Sequence, residues 1–298
     1  MVDRPNKPMA LATTPGLPPQ AQVNITHNNS RVSAVLPTGE SVEVLLYGAT
    51  LISWKDRAGS ERLWLSEGAK LDGSKAVRGG IPLVFPVFGT APEHKAAGNL
   101  PQHGFARTSK WEFLGKSTSE SQGKNESSVK LDFGLSAATI DDETKKLWPY
   151  NFSLIYSVSL TPTTLSPASR SPTMDIAQVS VTGLDEAEYI DKVDGAKAKK
   201  QSGTVSITGE TDRVYTPAKG PSEPVVVSEG GRTVYSVVRD NLEDVVVWNP
   251  WTDKAQGMAD FEPKDGYKNM ICIEAGAVKG WQKLEKGDTF EGAQTISV

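Results

Sequence analysis

Phe152-Ser153-Leu154-Ile155-Tyr156-Ser157-Val158-Ser159-Leu160 carries an apolar side chain at every second position from Phe152 to Leu160. Side chains alternate across a strand but repeat every 3.6 residues on a helix, so a period of two reads as a half-buried β-strand. Similar runs lie on both sides of it. Upstream are Ser41-Val42-Glu43-Val44-Leu45-Leu46-Tyr47 and Ser128-Val129-Lys130-Leu131-Asp132-Phe133. Downstream are Val179-Ser180-Val181, Val225-Val226-Val227 and Asp244-Val245-Val246-Val247-Trp248. Gly, Pro, Asn and Ser separate the runs, and their β-branched and aromatic residues suit a pleated, half-buried surface. The pattern predicts an all-β chain folded as a sandwich or barrel. A short helical turn is expected between Ala137 and Leu147, where acidic residues precede Lys145-Lys146, the order that suits a helix dipole. There is no repeat and no evident linker in the middle. One domain is expected over residues 23–298. Residues 1–22 hold five prolines and no apolar h-region, and are expected to form a flexible tail rather than a secretory signal.

The bulk numbers narrow the function classes. The chain has 298 residues, 38% of them hydrophobic, with a net charge of −4. That balance gives no support to a nucleic-acid partner or an anionic membrane surface. The single cysteine, Cys272, excludes an internal disulfide and a cysteine zinc site. It lies in Met270-Ile271-Cys272-Ile273, the setting of a small buried apolar residue. No run approaches the roughly 20 apolar residues of a membrane span, and a cytoplasmic location is the default expectation.

Three clusters could carry chemistry. In Val77-Arg78-Gly79-Gly80-Ile81-Pro82, glycines would let a ligand approach the backbone, and the Arg78 fork suits a phosphate or carboxylate. Taken alone, the string reads more readily as a turn with a solvated arginine. Gln102-His103-Gly104-Phe105-Ala106-Arg107 gathers three long polar side chains beside Pro101. In an extended segment His103 and Arg107 would share a face. A histidine satisfied by the backbone is an equal alternative. Glu274 ends the apolar run Met270-Ile271-Cys272-Ile273, near Asp260-Phe261-Glu262-Pro263 in sequence. Burial would raise its pKa towards that of a general base near neutral pH. A strand-end glutamate facing water is the plainer alternative. His27 and His94 read as solvated, and the seven tryptophans read as packing residues before sugar platforms.

Longer strings carry a resemblance. Leu71 to Pro82 through Phe88-Gly89, Leu100-Pro101-Gln102-His103-Gly104-Phe105-Ala106-Arg107, Trp248-Asn249-Pro250-Trp251, Gly257-Met258-Ala259-Asp260-Phe261 and Ile271-Cys272-Ile273-Glu274 together resemble the glucose-6-phosphate 1-epimerase family. The likeness runs from Tyr47-Gly48-Ala49-Thr50 almost to the end. It implies a galactose-mutarotase-like β-sandwich with few short helices. It also implies interconversion of the α and β anomers of hexose 6-phosphates, with no metal and no organic cofactor. By the same resemblance Glu274 is the base, Arg78, Arg107, Gln102 and Asp212 bind substrate, and His103 lies in the pocket motif. The family's acid histidine precedes the string seen here as Met174-Asp175-Ile176-Ala177-Gln178. Here the Pro/Ser/Thr segment Thr161–Thr173 stands there without a histidine, and the chain is shorter than the family by about twenty residues, roughly two strands and a turn. Two alternatives stand beside the epimerase: a sugar-phosphate-binding protein without turnover, and an aldose 1-epimerase of neutral sugars. The arginine pair argues against the second, because a neutral sugar requires no such pair.

Overall fold

A computed structural model of the chain describes residues 20–120, 127–162 and 174–298. Most of the expected tail, and Thr161–Thr173 beyond its first two residues, lie outside the described residues. Strand β1 begins at Gln22, and Ala21 is 3% exposed in the core.

Strands β1 (Gln22–Thr26), β2 (Arg31–Val35), β3 (Ser41–Leu45) and β4 (Thr50–Lys55) form an antiparallel meander. A second meander joins β5 (Glu112–Glu120), β6 (Ser127–Ser136) and β7 (Ser153–Leu160). Val32, Val44, Leu131 and Phe133, each fully buried, belong to the core that these two sheets share. Between β6 and β7 sits α1 (Asp142–Leu147), the expected helical turn. Asp141 caps it by accepting from the Thr144 backbone N–H, and Lys145 and Lys146 lie in its last turn.

The second half adds β8 (Val179–Thr182), β9 (Glu188–Asp191), β10 (Lys197–Lys200), β11 (Val205–Ser206), β12 (Thr211–Thr216), β13 (Val225–Glu229), β14 (Arg232–Asp240), β15 (Asp244–Asn249), β16 (Cys272–Gly276) and β17 (Ala293–Ser297). They make two five-stranded sheets, ordered β10-β9-β12-β15-β16 and β11-β8-β13-β14-β17. Val181, Tyr215, Val227 and Val247 belong to the core between them. A second helix, α2 (Trp251–Gly257), joins β15 to β16. Among the described residues the chain is all-β with two short α-helices, as the alternating runs predicted, and no described helix is long and apolar enough to cross a membrane.

Candidate active site

Strand register decides which side chains meet. Across the β9-β12-β15-β16 sheet, Asp212 pairs with Trp248 and Trp248 with Cys272. Two residues along, Ile190 pairs with Val214, Val214 with Val246, and Val246 with Glu274. Paired residues, and residues two apart on one strand, point to the same side of a sheet. Asp212 and Glu274 therefore share one face. The intervening positions, Tyr215, Val245, Val247 and Ile273, belong to the core on the opposite face.

Two laced loops face the carboxylates. In the first, the Phe105 backbone N–H donates to the Phe85 carbonyl at 3.0 Å, and the His103 N–H donates to the Gly89 carbonyl at 2.7 Å. The Gly89 N–H returns to His103 Nδ1 at 3.1 Å. Because Nδ1 accepts, the neutral ring keeps its proton on Nε2. Gly104 has φ +67°, and a Cβ there would lie 2.1 Å from the Phe85 carbonyl oxygen, so only glycine fits. The segment is not extended as expected. His103 has φ 67°, and Ala106–Thr108 is a turn of 3-10 helix, so the even spacing of His103 and Arg107 does not decide their orientation. A tight turn that needs a left-handed glycine overrides the strand reading. The second loop corrects the reading of Gly79-Gly80. Their missing Cβ atoms make room for the Trp64 and Leu51 carbonyls, at 2.5 and 2.4 Å, rather than for a ligand. The glycines thus press Arg78 against its neighbouring segment.

Arg78, Gln102, His103, Arg107, Asp212 and Glu274 are among the residues lining one very large, open cleft, and within it the charges of Arg78, Arg107, Lys192, Asp212 and Glu274 lie close enough to act on one another or on His103. The Arg78 guanidinium donates from Nε and Nη2 to the two oxygens of the Asp260 carboxylate, at 3.3 and 3.5 Å. Arg107 donates to the Gln102 carbonyl at 2.9 Å, and its buried Nε has no partner among the described residues. Burial, followed by the nearby Arg78 charge, pushes Arg107's pKa down. Glu274 moves the other way. Burial first and Asp212 second push its carboxyl up to about 7, against the opposing pull of Lys192 and Arg107. His103 is held down at about 4 by burial and by Arg107, Lys192 and Arg78, so its ring is neutral near pH 7. Cys272, behind Glu274 in the same strand, is pushed up by burial and by Glu274, which leaves an inert thiol.

A model of the family described as aldose 1-epimerase matches residues 31–171 and 164–297. The chain belongs to the aldose 1-epimerase family. It is 34% identical over 280 residues to a Cenchrus ciliaris protein named "Putative glucose-6-phosphate 1-epimerase", covering 86% of this chain and 80% of that one. An Escherichia coli K12 protein of the same name is 35% identical over 267 residues, covering 85% of each chain. Among solved structures, a Salmonella typhimurium protein described as a "putative mutarotase" superposes with TM-score 0.74 at 28% identity, covering 94% of each chain. Galactose 1-epimerase from Lactobacillus acidophilus superposes with TM-score 0.56 at 13% identity, covering 93% of this chain and 96% of that one, which is a likeness of fold. The galactose-mutarotase-like sandwich expected from the sequence is thus the fold of this family member.

Two cleft features escaped the sequence reading of this epimerase relative. Asp260 stood in a quoted cluster, but its partner Arg78 lies 182 residues away. Lys192 follows β9 in an ordinary polar turn, and only sheet register reveals that it faces the cleft. His94, read as solvated, instead stacks on Trp281 with ring centroids 3.6 Å apart.

Proposed function

We propose that this chain interconverts the α and β anomers of hexose 6-phosphates, with Glu274 as the base. One observation carries the reading. Glu274's pKa of about 7 lets it take and return a proton near neutral pH, and it shares its cleft with cations suited to a phosphate dianion. The names of the plant and bacterial relatives agree with that substrate class.

In this mechanism Glu274 removes the proton of the anomeric hydroxyl. The electron pair closes a C1 carbonyl as the C1–O5 bond breaks, and the ring oxygen takes up a proton. The C1–C2 bond turns. The O5 hydroxyl then adds to the other face of the carbonyl and gives back the proton that it took up, and Glu274 returns its proton to the new anomeric oxygen. Arg107 and Arg78 hold the phosphate, while Gln102, Asp212 and the His103 Nε2–H hold sugar hydroxyls. His103 is neutral near pH 7 and offers the ring oxygen only a weak N–H acid. That weak acid supports a second reading, a sugar-phosphate-binding protein with little turnover.

The experiment is NMR exchange between α- and β-glucose 6-phosphate with and without the protein. Catalysed exchange above the spontaneous rate, lost in Glu274→Gln while binding persists, supports the epimerase. Binding without catalysed exchange supports the second reading. Equal rates in the two proteins would remove Glu274 from the chemistry.

A further inference from the structure

The β9-β12 ladder runs one position past the end of β9. The Lys192 backbone N–H donates to the Asp212 carbonyl at 2.9 Å, in continuation of the Asp191–Arg213 pair. Lys192 therefore sits in the row of Asp212, Trp248 and Cys272, on the face that carries Glu274. Its ammonium lies over the Phe88 ring, 4.2 Å from the centroid. Phe88 in turn meets the His103 ring edge-on, with centroids 5.0 Å apart. The lysine thus bridges from the sheet towards the loop that holds Gln102, His103 and Arg107.

The state of its charge sets it apart. The other lysines of this hairpin are committed: Lys197 to Asp194, Lys199 to Asp191 and Asp194, and Lys200 to Glu186. Among the described residues Lys192 has no carboxylate partner. Arg78, one of the two arginines expected to bind substrate, already donates from Nε and Nη2 to the Asp260 carboxylate. A dianion entering the cleft beside His103 meets Lys192 and Arg107, neither of which has an ion pair with a carboxylate among the described residues.

We propose that Lys192 is a specificity-determining contact for the substrate's phosphate, completing with Arg107 a site in which Arg78 is already shared with Asp260. The inference rests on the hexose-6-phosphate reading above and adds a residue to it. An aromatic ring beneath the ammonium keeps it aimed into the cleft while leaving its N–H donors unspent.

The test is NMR titration of the full chain with glucose 6-phosphate and with glucose, for wild type, Lys192→Met and Lys192→Arg. The ratio of the two affinities is the readout. It should fall about fivefold in Lys192→Met, the size of a partly solvated charge contact, and be largely retained in Lys192→Arg. A wild-type protein that binds glucose as tightly as its phosphate would overturn the substrate class, and this proposal with it. A wild-type preference that persists undiminished in Lys192→Met would overturn the role of Lys192 alone. So would an equal weakening of both ligands, which would assign the lysine to the sugar ring. Glucose binding also reports that each variant is folded.

Discussion

As the proposed base, Glu274 would work in the pH range where its charge is least settled. Its carboxyl titrates at about 7, so kcat/KM should rise with pH as the carboxylate forms and reach half its plateau near pH 7. Asp212 is one cause of the upward shift, so Asp212→Asn should move that midpoint to lower pH. A pH–rate profile of both proteins checks the sign, and a shift to higher pH would contradict it. Glu274→Gln should cost about 10²–10⁴ in kcat, the usual weight of a positioned base, with affinity nearly kept. Glu274 and both arginines were expected at a site only through the family likeness, since the strings around Arg78 and Glu274, taken alone, read more readily as a turn and a strand end. Lys192 was not, since its place depends on pairing with Asp212, a contact no local pattern encodes. The tautomer of His103 was equally hidden, because it follows from one N–H of Gly89.

At the scale of elements, the alternating runs announced most of the strands, because a period of two is a local property of the chain. The loops that build the cleft were harder to read. Gly104 was noted only as a neighbour of His103, yet its positive φ lets Phe85 and Phe105 approach. Gly104→Ala should destabilise the fold by at least about 2 kcal/mol, since it combines left-handed strain with a backbone clash, and urea unfolding would read the loss. Asn249, completely buried, holds the crossing from β15 to β16. Its amide donates to the Tyr267 and Met270 carbonyls at 2.8 and 2.9 Å, and its oxygen accepts from the Trp251 N–H at 2.9 Å. Asn249→Ala strands those buried groups and should cost about 2–3 kcal/mol in the same measurement. Because this crossing feeds β16, the variant should also lose activity by displacing Glu274.

Across the whole molecule, two cores each lie between a pair of sheets, and the cleft gathers residues from Arg78 to Glu274. That convergence was readable only through the family likeness, since spacing cannot bring together residues almost 200 positions apart. The chain's three histidines are His27, His94 and His103, and the one beside Arg107 is neutral near pH 7. Turnover should therefore be about 10²–10⁴ slower than in a relative that keeps an acid histidine, a comparison that NMR exchange makes directly. A further consequence follows from the cations of the cleft in a chain whose net charge is −4. At long range the net charge repels a dianion, while at contact distance Arg107 and Lys192, neither ion-paired with a carboxylate among the described residues, attract it. Substrate capture is then a matter of electrostatic steering, in which the encounter rate depends on whether the approaching molecule feels the patch or the whole surface. A Debye length of about 10 Å at 0.1 M salt hides the distant negative charge but leaves the cleft's attraction at contact distance. Modest salt should consequently slow association less than it would for a uniformly basic protein.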